Sequence, residues 1–390
     1  MEGLRTYQLG DLLSTPIRNG LTKPSSIRGE GVKMIGMGEL FSNDIIRAID
    51  MPRVPVTDTE LRTASIEEGD LLFARQSLVL EGAGKCSIVK EIDSPTVFES
   101  HLIRCRINKS LALPEYIYYY FKSREGRHNI ESIVEQVAAA GIRGRDLIKL
   151  YITIPSIEEQ RRIVDILLSF DEKIELNNRI NHNLEEQAQA LYKSWFVDFE
   201  PFKEGQFVDS VLGLIPSGWH AGTLSELVEV RYGKDHKSLK DGDIPVYGSG
   251  GLMRYAERSL FEGESVLIPR KGTLNNVMYV SHAFWTVDTM FYTSEKVARS
   301  IKYAHLFLLT QDLASMNAGS AVPSMTTDIL NKLVLLIPPQ DVLDAFDIIV
   351  SALYSEIDVC QKESASLSKT RDSLLPRLLS GDADGIKMTC

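Results

Sequence analysis

The sequence predicts an α+β protein in which two similar α/β domains are held apart by two long, antiparallel, coiled-coil-like helices with pseudo-two-fold symmetry. Three observations support this prediction. Two stretches of similar sequence lie 183 residues apart in the 390-residue chain. Each stretch runs from a short apolar segment through a proline into a long heptad pattern. Each is preceded by a block that mixes strand-like and helix-like patterns, which indicates two related domains.

The two stretches match without gaps when the chain is shifted by 183 residues. IPSIEEQRRIVDILLSF begins at Ile154, and IPPQDVLDAFDIIVSAL begins at Ile337. The matching pairs are Leu147 and Leu330, Leu150 and Leu333, Ile152 and Leu335, Pro155 and Pro338, Ile163 and Phe346, and Leu167 and Val350. Similarity at a fixed offset indicates a duplicated structural unit. Two copies are too few for a solenoid, so we expect a pseudo-dimer within one chain.

Each copy predicts a strand, then a proline, then a long helix. In the first copy, Ser156 and Glu159 have the spacing of a capping box. Apolar residues then recur at steps of four and three, which is typical of a heptad seam, and Asn177 and Asn181 interrupt that seam. Because the chain must leave one helix and return along the other, we expect an antiparallel pair. A helix of roughly 37 residues would be about 55 Å long and would act as a spacer.

We therefore divide the chain into a first domain at residues 1–155, a first long helix at 156–200, a linker and second domain at 201–337, and a second long helix and C-terminal tail at 338–390. The two domains share short sequence motifs. LGDL from Leu9 resembles LSEL from Leu224, and GDLLFAR ending at Arg75 resembles GESVLIPR ending at Arg270. Small-residue loops, AAAGIRGRDL and AGSAVPSMTTDIL, precede the duplicated strands. The rest differs, so we expect two related but non-identical recognition tasks.

The composition is ordinary for a globular protein, with 44% hydrophobic and 25% charged residues. The formal net charge of −10 falls mainly on the two helical segments, because residues 1–155 hold 20 basic and 20 acidic side chains, and residues 201–336 hold 13 and 14. The N-terminal sequence has no signal-peptide core, and no apolar run is long enough for a bilayer. The four cysteines are scattered, so we expect a cytoplasmic protein without membrane contact.

Motifs for catalysis are missing from the sequence. EGAGKCS at residues 81–87 lacks the first glycine and the Ser or Thr of a phosphate-binding loop. DEK at residues 171–173 resembles a fragment of a nuclease signature, but we expect it to be a solvated helix face. The seven histidines are not spaced as metal ligands. No motif in the sequence therefore supplies a nucleophile and a base for catalysis.

Two segments resemble a known family, the DNA specificity (S) subunits of type I restriction-modification systems. They are IPSIEEQRRIVDILLSFDEKIELNNRINHNLEEQAQALYKSWFVDFEPF from Ile154 and LGLIPSGW from Leu212. The C-terminal SLLPRLLSG from Ser373 is also similar. The second long helix departs from the pattern, because IPPQDVLDAF has no counterpart of the EEQ at residues 158–160.

The resemblance implies that each domain is a target recognition domain reading one half of a bipartite, asymmetric site in double-stranded DNA. The helices would set the spacing and dock two methyltransferase (M) subunits, which bring S-adenosylmethionine and methylate adenine. Motor-nuclease (R) subunits would add ATP- and Mg-dependent endonuclease activity. The chain itself would have no catalytic activity, which agrees with the missing motifs, and it would hold no cofactor. Two alternatives stay open: a specificity subunit of a type II-like restriction-modification enzyme, and a non-DNA coiled-coil adaptor, which the pI near 5.4 favours.

Arginine and lysine in loops are the strongest candidates for contacts with phosphates or base edges. The candidate DNA-binding residues are Arg75, Lys85, Arg143, Arg145, Arg270, Lys271 and Asn275. For each, a solvated surface residue is the alternative. The candidate partner-docking residues are Trp195, Phe196, Phe199 and Phe202. Their alternative role is to pack the helix onto its own domain. The tyrosines at 118–120 are expected to be core residues.

Overall fold

A computed structural model describes residues 4–136, 140–316 and 324–380. The predicted C-terminal tail at 381–390 and parts of both small-residue loops lie outside the described residues. The chain forms two compact units. The first joins the residues before Leu176 with those from Ser364 onward, and the second is Leu176–Glu363. Each of the two long helices therefore begins in one unit and ends in the other.

The first unit contains thirteen strands in its described part. The strands are β1 (Arg5–Gln8), β2 (Arg18–Asn19), β3 (Val32–Ile35), β4 (Ile45–Ile46), β5 (Arg53–Val54), β6 (Asp70–Ala74), β7 (Gln76–Ser77), β8 (Cys86–Val89), β9 (Thr96–Phe98), β10 (Leu102–Arg106), β11 (Glu135–Gln136), β12 (Ala140–Gly141) and β13 (Tyr151–Ile154). The helices that begin in this unit are α1 (Met37–Ser42), α2 (Asp58–Ala64), α3 (Pro114–Lys122), α4 (Arg124–Glu131), α5 (Gly144–Leu147) and the long α6 (Ile157–Phe196).

The second unit follows after α6. Its strands are β14 (Phe207–Ser210), β15 (Gly213–Pro216), β16 (His220–Thr223), β17 (Val228–Tyr232), β18 (Ile244–Gly248), β19 (Gly251–Ala256), β20 (Ser265–Pro269), β21 (Met278–Val280), β22 (Trp285–Thr286), β23 (Met290–Glu295) and β24 (Val334–Ile337). The helices that begin here are α7 (Leu224–Leu227), α8 (Ile301–Leu309), α9 (Thr327–Asn331) and the long α10 (Gln340–Ser380).

The two units share a similar arrangement of a main sheet and a second sheet, which we call the frame. The main sheet has the strand order β2-β10-β6-β8-β4 in the first unit and β17-β23-β20-β21 in the second. A second sheet has the order β5-β3-β9 in one unit and β19-β18-β22 in the other. In each of these second sheets one strand pair is antiparallel and the other parallel. The predicted α+β class with two similar domains is confirmed.

A strand near the start of each domain pairs with the strand that precedes its long helix; in the second unit the hairpin β14–β15 comes before that strand. β1 runs antiparallel to β13 with Arg5 opposite Ile154, and β16 runs antiparallel to β24 with His220 opposite Ile337. The similar motifs LGDL at Leu9 and LSEL at Leu224 directly follow β1 and β16, and their leucines are fully buried. Both ends of each domain are therefore fixed at the start of its long helix.

Gln160 explains the EEQ sequence at the start of α6. Its side chain is fully buried, where Oε1 accepts a bond from the Leu113 amide at 2.9 Å and Nε2 donates to the Pro155 carbonyl at 2.9 Å. The second copy has the apolar, buried Leu343 at the matching position. There Gln340 Nε2 donates to the Ala298 carbonyl at 2.8 Å instead. In the second copy, Gln340 thus connects the start of α10 to its domain from a different position than Gln160 does in the first copy. This difference accounts for the lack of an EEQ counterpart in the second copy.

The long helices pair in the antiparallel sense within the second unit. Asn177 Nδ2 donates to Glu363 Oε2 at 2.8 Å, whereas the ring of Phe196 lies 4.7 Å from that of Phe346. As α6 advances, its partner residues on α10 therefore come earlier in the sequence. Asn177 also contacts the carbonyl of Cys360 at 3.4 Å, and these two residues correspond at the offset of 183. Equivalent positions facing each other are what a local two-fold axis of the helix pair requires, as predicted.

Asp171 corrects one expectation from the sequence. The DEK segment was expected to be a solvated face, but Asp171 is only 8% exposed. Its carboxylate accepts a bond from Tyr119 Oη at 2.5 Å and pairs with Arg371. A buried carboxylate needs such partners because its desolvation is costly. The other tyrosines of α3 are core residues, as predicted.

The second unit also has a buried ionisable contact between a domain helix and α10. His305 Nδ1 lies 2.6 Å from Tyr354 Oη; His305 is buried and Tyr354 is half-buried, and both lie among aromatic rings. Burial lowers the pKa of His305 from 6.5 to about 4. The unfolded chain therefore takes up a proton at this residue in a pH range in which the folded chain does not.

We predict that the second unit loses about 3 kcal/mol of stability as the pH falls from about 6.5 to about 4, since each unit of pKa difference corresponds to about 1.4 kcal/mol. All three tryptophans, at 195, 219 and 285, lie in the second unit, so tryptophan fluorescence in urea measures its unfolding. His305→Gln should remove this part of the pH dependence. The exposed His101→Gln is the control, and an equal effect of both variants would contradict the assignment.

Candidate nucleic-acid interface

Arg75 and Arg270 occupy equivalent places in the two units, and we call them the frame arginines. Each directly follows a central strand, β6 or β20. The amide of Arg75 donates to the His101 carbonyl at 2.8 Å, and its carbonyl accepts from the Ile142 amide at 2.9 Å. Arg270 donates to the Thr289 carbonyl at 2.8 Å and accepts from the Met325 amide at 2.8 Å. The backbone of both residues is thus fixed by the same pattern of bonds.

The side chains of the frame arginines are anchored in the same way. Arg75 Nη1 donates to the Ser100 carbonyl at 3.3 Å, and Arg270 Nη1 donates to the Asp288 carbonyl at 3.2 Å. Both side chains are half-buried, and Arg270 also lies over the ring of Tyr232 at 5.4 Å. Within the described parts of the chain, neither guanidinium is paired with a carboxylate. Since a guanidinium carries five N–H donors, each retains donors for an anion.

The chain diverges directly after each frame arginine. In the first unit, β7 pairs with β12 and leads into a loop at residues 78–83. In the second, Lys271 makes a bridge to Ser324 and its side chain is exposed. Asn275 has both ends of its amide engaged, because Oδ1 accepts from the Ala314 amide at 2.8 Å and Nδ2 donates to Asp312 Oδ1 at 3.2 Å. A contact from Asn275 to adenine stays a prediction, and it requires these bonds to exchange.

The other first-unit candidates have acidic partners. Lys85 donates to the Phe41 carbonyl at 2.7 Å and pairs with Asp44 at 3.2 Å. Burial disfavours the charged form of Asp44, but Lys122 and Lys85 outweigh it and lower the pKa of this carboxyl. The exposed Arg143 and Arg145 pair with Glu135 and Asp146. Exposed pairs of this kind contribute little to stability, and DNA contacts by Lys85, Arg143 and Arg145 stay predictions.

The four aromatic candidates for docking lie where α6 ends in the second unit. Phe196 is 3% exposed and packs against Tyr303, Phe346 and Trp219 at ring distances of 4.6, 4.7 and 5.7 Å. The half-buried candidates are Trp195, Phe199 and Phe202. These contacts favour the alternative role, packing of the helix onto its own domain. Docking stays a prediction for the exposed edges of the three half-buried rings.

One functional candidate was missed by the sequence analysis. Arg127 on α4 donates from Nη2 to the Leu80 carbonyl at 3.1 Å and from Nη1 to the Ala83 carbonyl at 2.9 Å. The loop it binds carries the exposed Leu78. The unusual run SLVLEG gave a signal in the sequence, because apolar residues there do not follow a helix or strand period.

No group of three or more His, Cys, Asp or Glu side chains in the described parts of the chain is placed to hold a metal ion. Among the described residues, no helix is both long enough and apolar enough to cross a membrane.

Comparisons with known proteins agree with the shared frame. The family model for the type I restriction modification DNA specificity domain matches residues 1–186 and 216–365. The chain is 28% identical to the type I restriction enzyme MjaIX specificity subunit of Methanocaldococcus jannaschii over 71% of this chain and 70% of that protein. It is 23% identical to the HindI specificity subunit of Haemophilus influenzae over 98% and 100%.

A crystal structure of a type I restriction-modification S subunit from M. genitalium has a similar fold. Its TM-score is 0.56 at 17% identity, and the match covers 97% of this chain and 96% of that one. The family model covers most of the present chain. Neither the type II-like alternative nor the coiled-coil adaptor gains support from these comparisons. The chain therefore belongs to the DNA specificity subunits of type I restriction-modification systems, which are non-catalytic.

Proposed function

We propose that each unit is a target recognition domain that reads one half of a bipartite, asymmetric site in double-stranded DNA. The observation that carries the proposal is the pair of frame arginines, which are anchored alike and followed by unlike loops. Two methyltransferase subunits would supply S-adenosylmethionine and methylate adenine. Motor-nuclease subunits would supply the ATP- and Mg-dependent endonuclease.

Residues that are the same in both units and residues that differ between them are expected to have different roles in DNA recognition. Phosphates have the same chemistry in every DNA sequence, so a residue that contacts them can be identical in both units. Base edges differ between the two half-sites, so the groups that read them must differ. We therefore assign Arg75 and Arg270 to phosphates and the loops that follow them to bases.

We predict that Arg75→Gln and Arg270→Gln each weaken binding about equally for all DNA sequences and leave the recognised motif unchanged. Each change should also reduce the slope of log affinity against log salt by about one. Fluorescence anisotropy with the assembled complex at several salt concentrations measures both effects. The exposed Arg62→Gln on α2 is the control. A variant that alters the bases accepted in one half-site would show that its arginine reads sequence instead.

We infer that this chain needs its methyltransferase subunits in order to bind DNA tightly. The two domains are close to neutral, as their nearly equal basic and acidic counts show, and the helical segments are acidic. Binding by counterion release needs several cationic contacts with phosphate, which such a surface offers only in small number.

The expected result of a band-shift experiment is weak, sequence-independent binding by the chain alone at physiological salt, and specific binding once methyltransferase subunits are added. A mixture of random duplexes, selected by the complex and sequenced, identifies the motif. Tight and specific binding by the isolated chain would contradict this inference.

We propose that the helical segments dock the methyltransferase subunits through the half-buried rings at the end of α6. Trp195 and Phe199 contact other rings of the second unit yet keep exposed edges. Aromatic side chains are preferred anchors of interfaces. The buried Phe196 next to them serves the core of the unit.

The double change Trp195→Ala and Phe199→Ala should release the methyltransferase subunit in co-purification while circular dichroism and tryptophan fluorescence still show a folded second unit. Phe196→Ala is the matched comparison, because emptying this core position should cost about 3–5 kcal/mol of stability. If the double variant unfolds like Phe196→Ala, all these rings are core residues and docking occurs elsewhere.

We also propose that the long helices determine the gap between the two half-sites. α6 has 40 residues and α10 has 41. At about 1.5 Å per residue, each is about 60 Å long. Their antiparallel pairing, with buried apolar and polar contacts, supports a fixed helix pair, and a fixed pair gives a gap of constant length.

A further inference from the structure

The loop at residues 78–83 of the first unit presents apolar side chains to solvent, and we call it the apolar loop. Leu78 is 97% exposed, Val79 is 58% exposed and Leu80 is 40% exposed. Phe41, at the base of the loop beside Gly82, is 39% exposed. Single exposed apolar residues are common, but adjoining ones mark a surface that binds something.

The apolar loop is held in one shape by its own bonds. The Val79 amide donates to Ser77 Oγ at 3.2 Å, and Leu80–Gly82 form a turn of 3₁₀ helix. Arg127 binds the carbonyls of Leu80 and Ala83 with two guanidinium nitrogens. Gly84 closes the loop with φ of +69°, where a Cβ would lie 2.4 Å from Ile130. The exposure of Leu78 is therefore built into the fold.

Four cationic side chains lie near the apolar loop, and three of them are paired with carboxylates: Lys85 with Asp44, Arg127 with Glu131 and Arg143 with Glu135. Arg75 precedes it by three residues, Lys85 follows it, and Arg127 lies beneath it. β7, from which it emerges, pairs with β12, and Arg143 follows β12 closely. Glu81 is an exposed acidic residue within the loop. Among the described residues Arg75 has no carboxylate partner, and the exposed pairs around it are weak. A rigid apolar tip beside such a guanidinium has the chemistry of a groove-reading element flanked by phosphate contacts.

The corresponding place in the second unit is polar. Arg270 is followed by the exposed Lys271, and Gly272 and Thr273 come next. The two units therefore present different chemistry from the same point of a shared frame. Apolar contact discriminates the thymine methyl group in the major groove, whereas lysine discriminates guanine acceptors.

We propose that the apolar loop reads bases in one half-site, with Leu78 in contact with the 5-methyl group of a thymine in the major groove. Arg127 acts as a positioning residue that holds the loop. This inference rests on the proposed function, since it assumes that the first unit reads DNA. Leu78, and not an arginine or lysine, would then discriminate thymine from the other bases at this position.

The test uses the full chain assembled with its methyltransferase subunits. The motif of the wild-type complex is first identified by sequencing methylated adenines in a host that carries the system. Leu78→Ala and the control Leu111→Ala, another exposed leucine of the first unit, are then compared on duplexes of that motif. Each thymidine is replaced in turn by deoxyuridine, which lacks the methyl group.

We expect one deoxyuridine to weaken wild-type binding by about fourfold, the value of about 0.8 kcal/mol for one buried carbon. Leu78→Ala should bind the unmodified duplex at least as weakly and show no further loss with deoxyuridine. Its methylated motif should be relaxed in the same half only. Leu111→Ala should behave as wild type. Arg127→Gln should weaken discrimination at the same thymine without changing the other half of the motif.

Several results would overturn the inference. They are a deoxyuridine effect that is equal in wild type and Leu78→Ala, an unchanged motif and affinity in Leu78→Ala, and half-sites without thymine. Loss of the methyltransferase subunit from Leu78→Ala with an unchanged motif would make the loop a protein contact. If the wild-type complex yields no motif at all, the proposed function itself has failed. Failure of the proposed function is thereby distinguished from failure of the inference about Leu78.

Discussion

The antiparallel pairing of a strand near the start of each domain with the strand before its long helix is the constraint on which the rest of the structure depends. β1 with β13 and β16 with β24 close each domain at the start of a helix. The segment leading to that closing strand also supplies the amide, Ile142 or Met325, that binds the carbonyl of the frame arginine. One short pairing thereby connects helix, domain and candidate DNA contact in both units.

The sequence encodes this frame twice, because buried positions recur at an offset of 183 residues. Leu147 and Leu330, Ile163 and Phe346, and Leu167 and Val350 are each buried to nearly the same extent. A heptad seam and a strand–proline–helix phrase are local patterns, so the two long helices, their antiparallel pairing and the two related domains follow from them. The similar phrases ending at Arg75 and Arg270 likewise locate two equivalent residues.

Partners that are distant in sequence could not be inferred in this way. The burial of Asp171 depends on Tyr119 and Arg371, and the engagement of Asn275 depends on Asp312 and Ala314. Local periodicity shows which face of a helix is apolar, but not which polar group a neighbouring element brings to it. The apolar loop could not be predicted because its exposure also depends on a distant residue. An apolar run in the sequence gives no indication that Arg127 holds it at the surface.

We propose that one frame, used twice with different loops and a fixed helix pair, reads two unlike half-sites. Sequencing the methylated adenines in a host that carries the complete system tests it most directly. We expect a single motif made of two different specific halves separated by a gap of constant length and variable sequence. A continuous motif, two identical halves or a gap of variable length would contradict it.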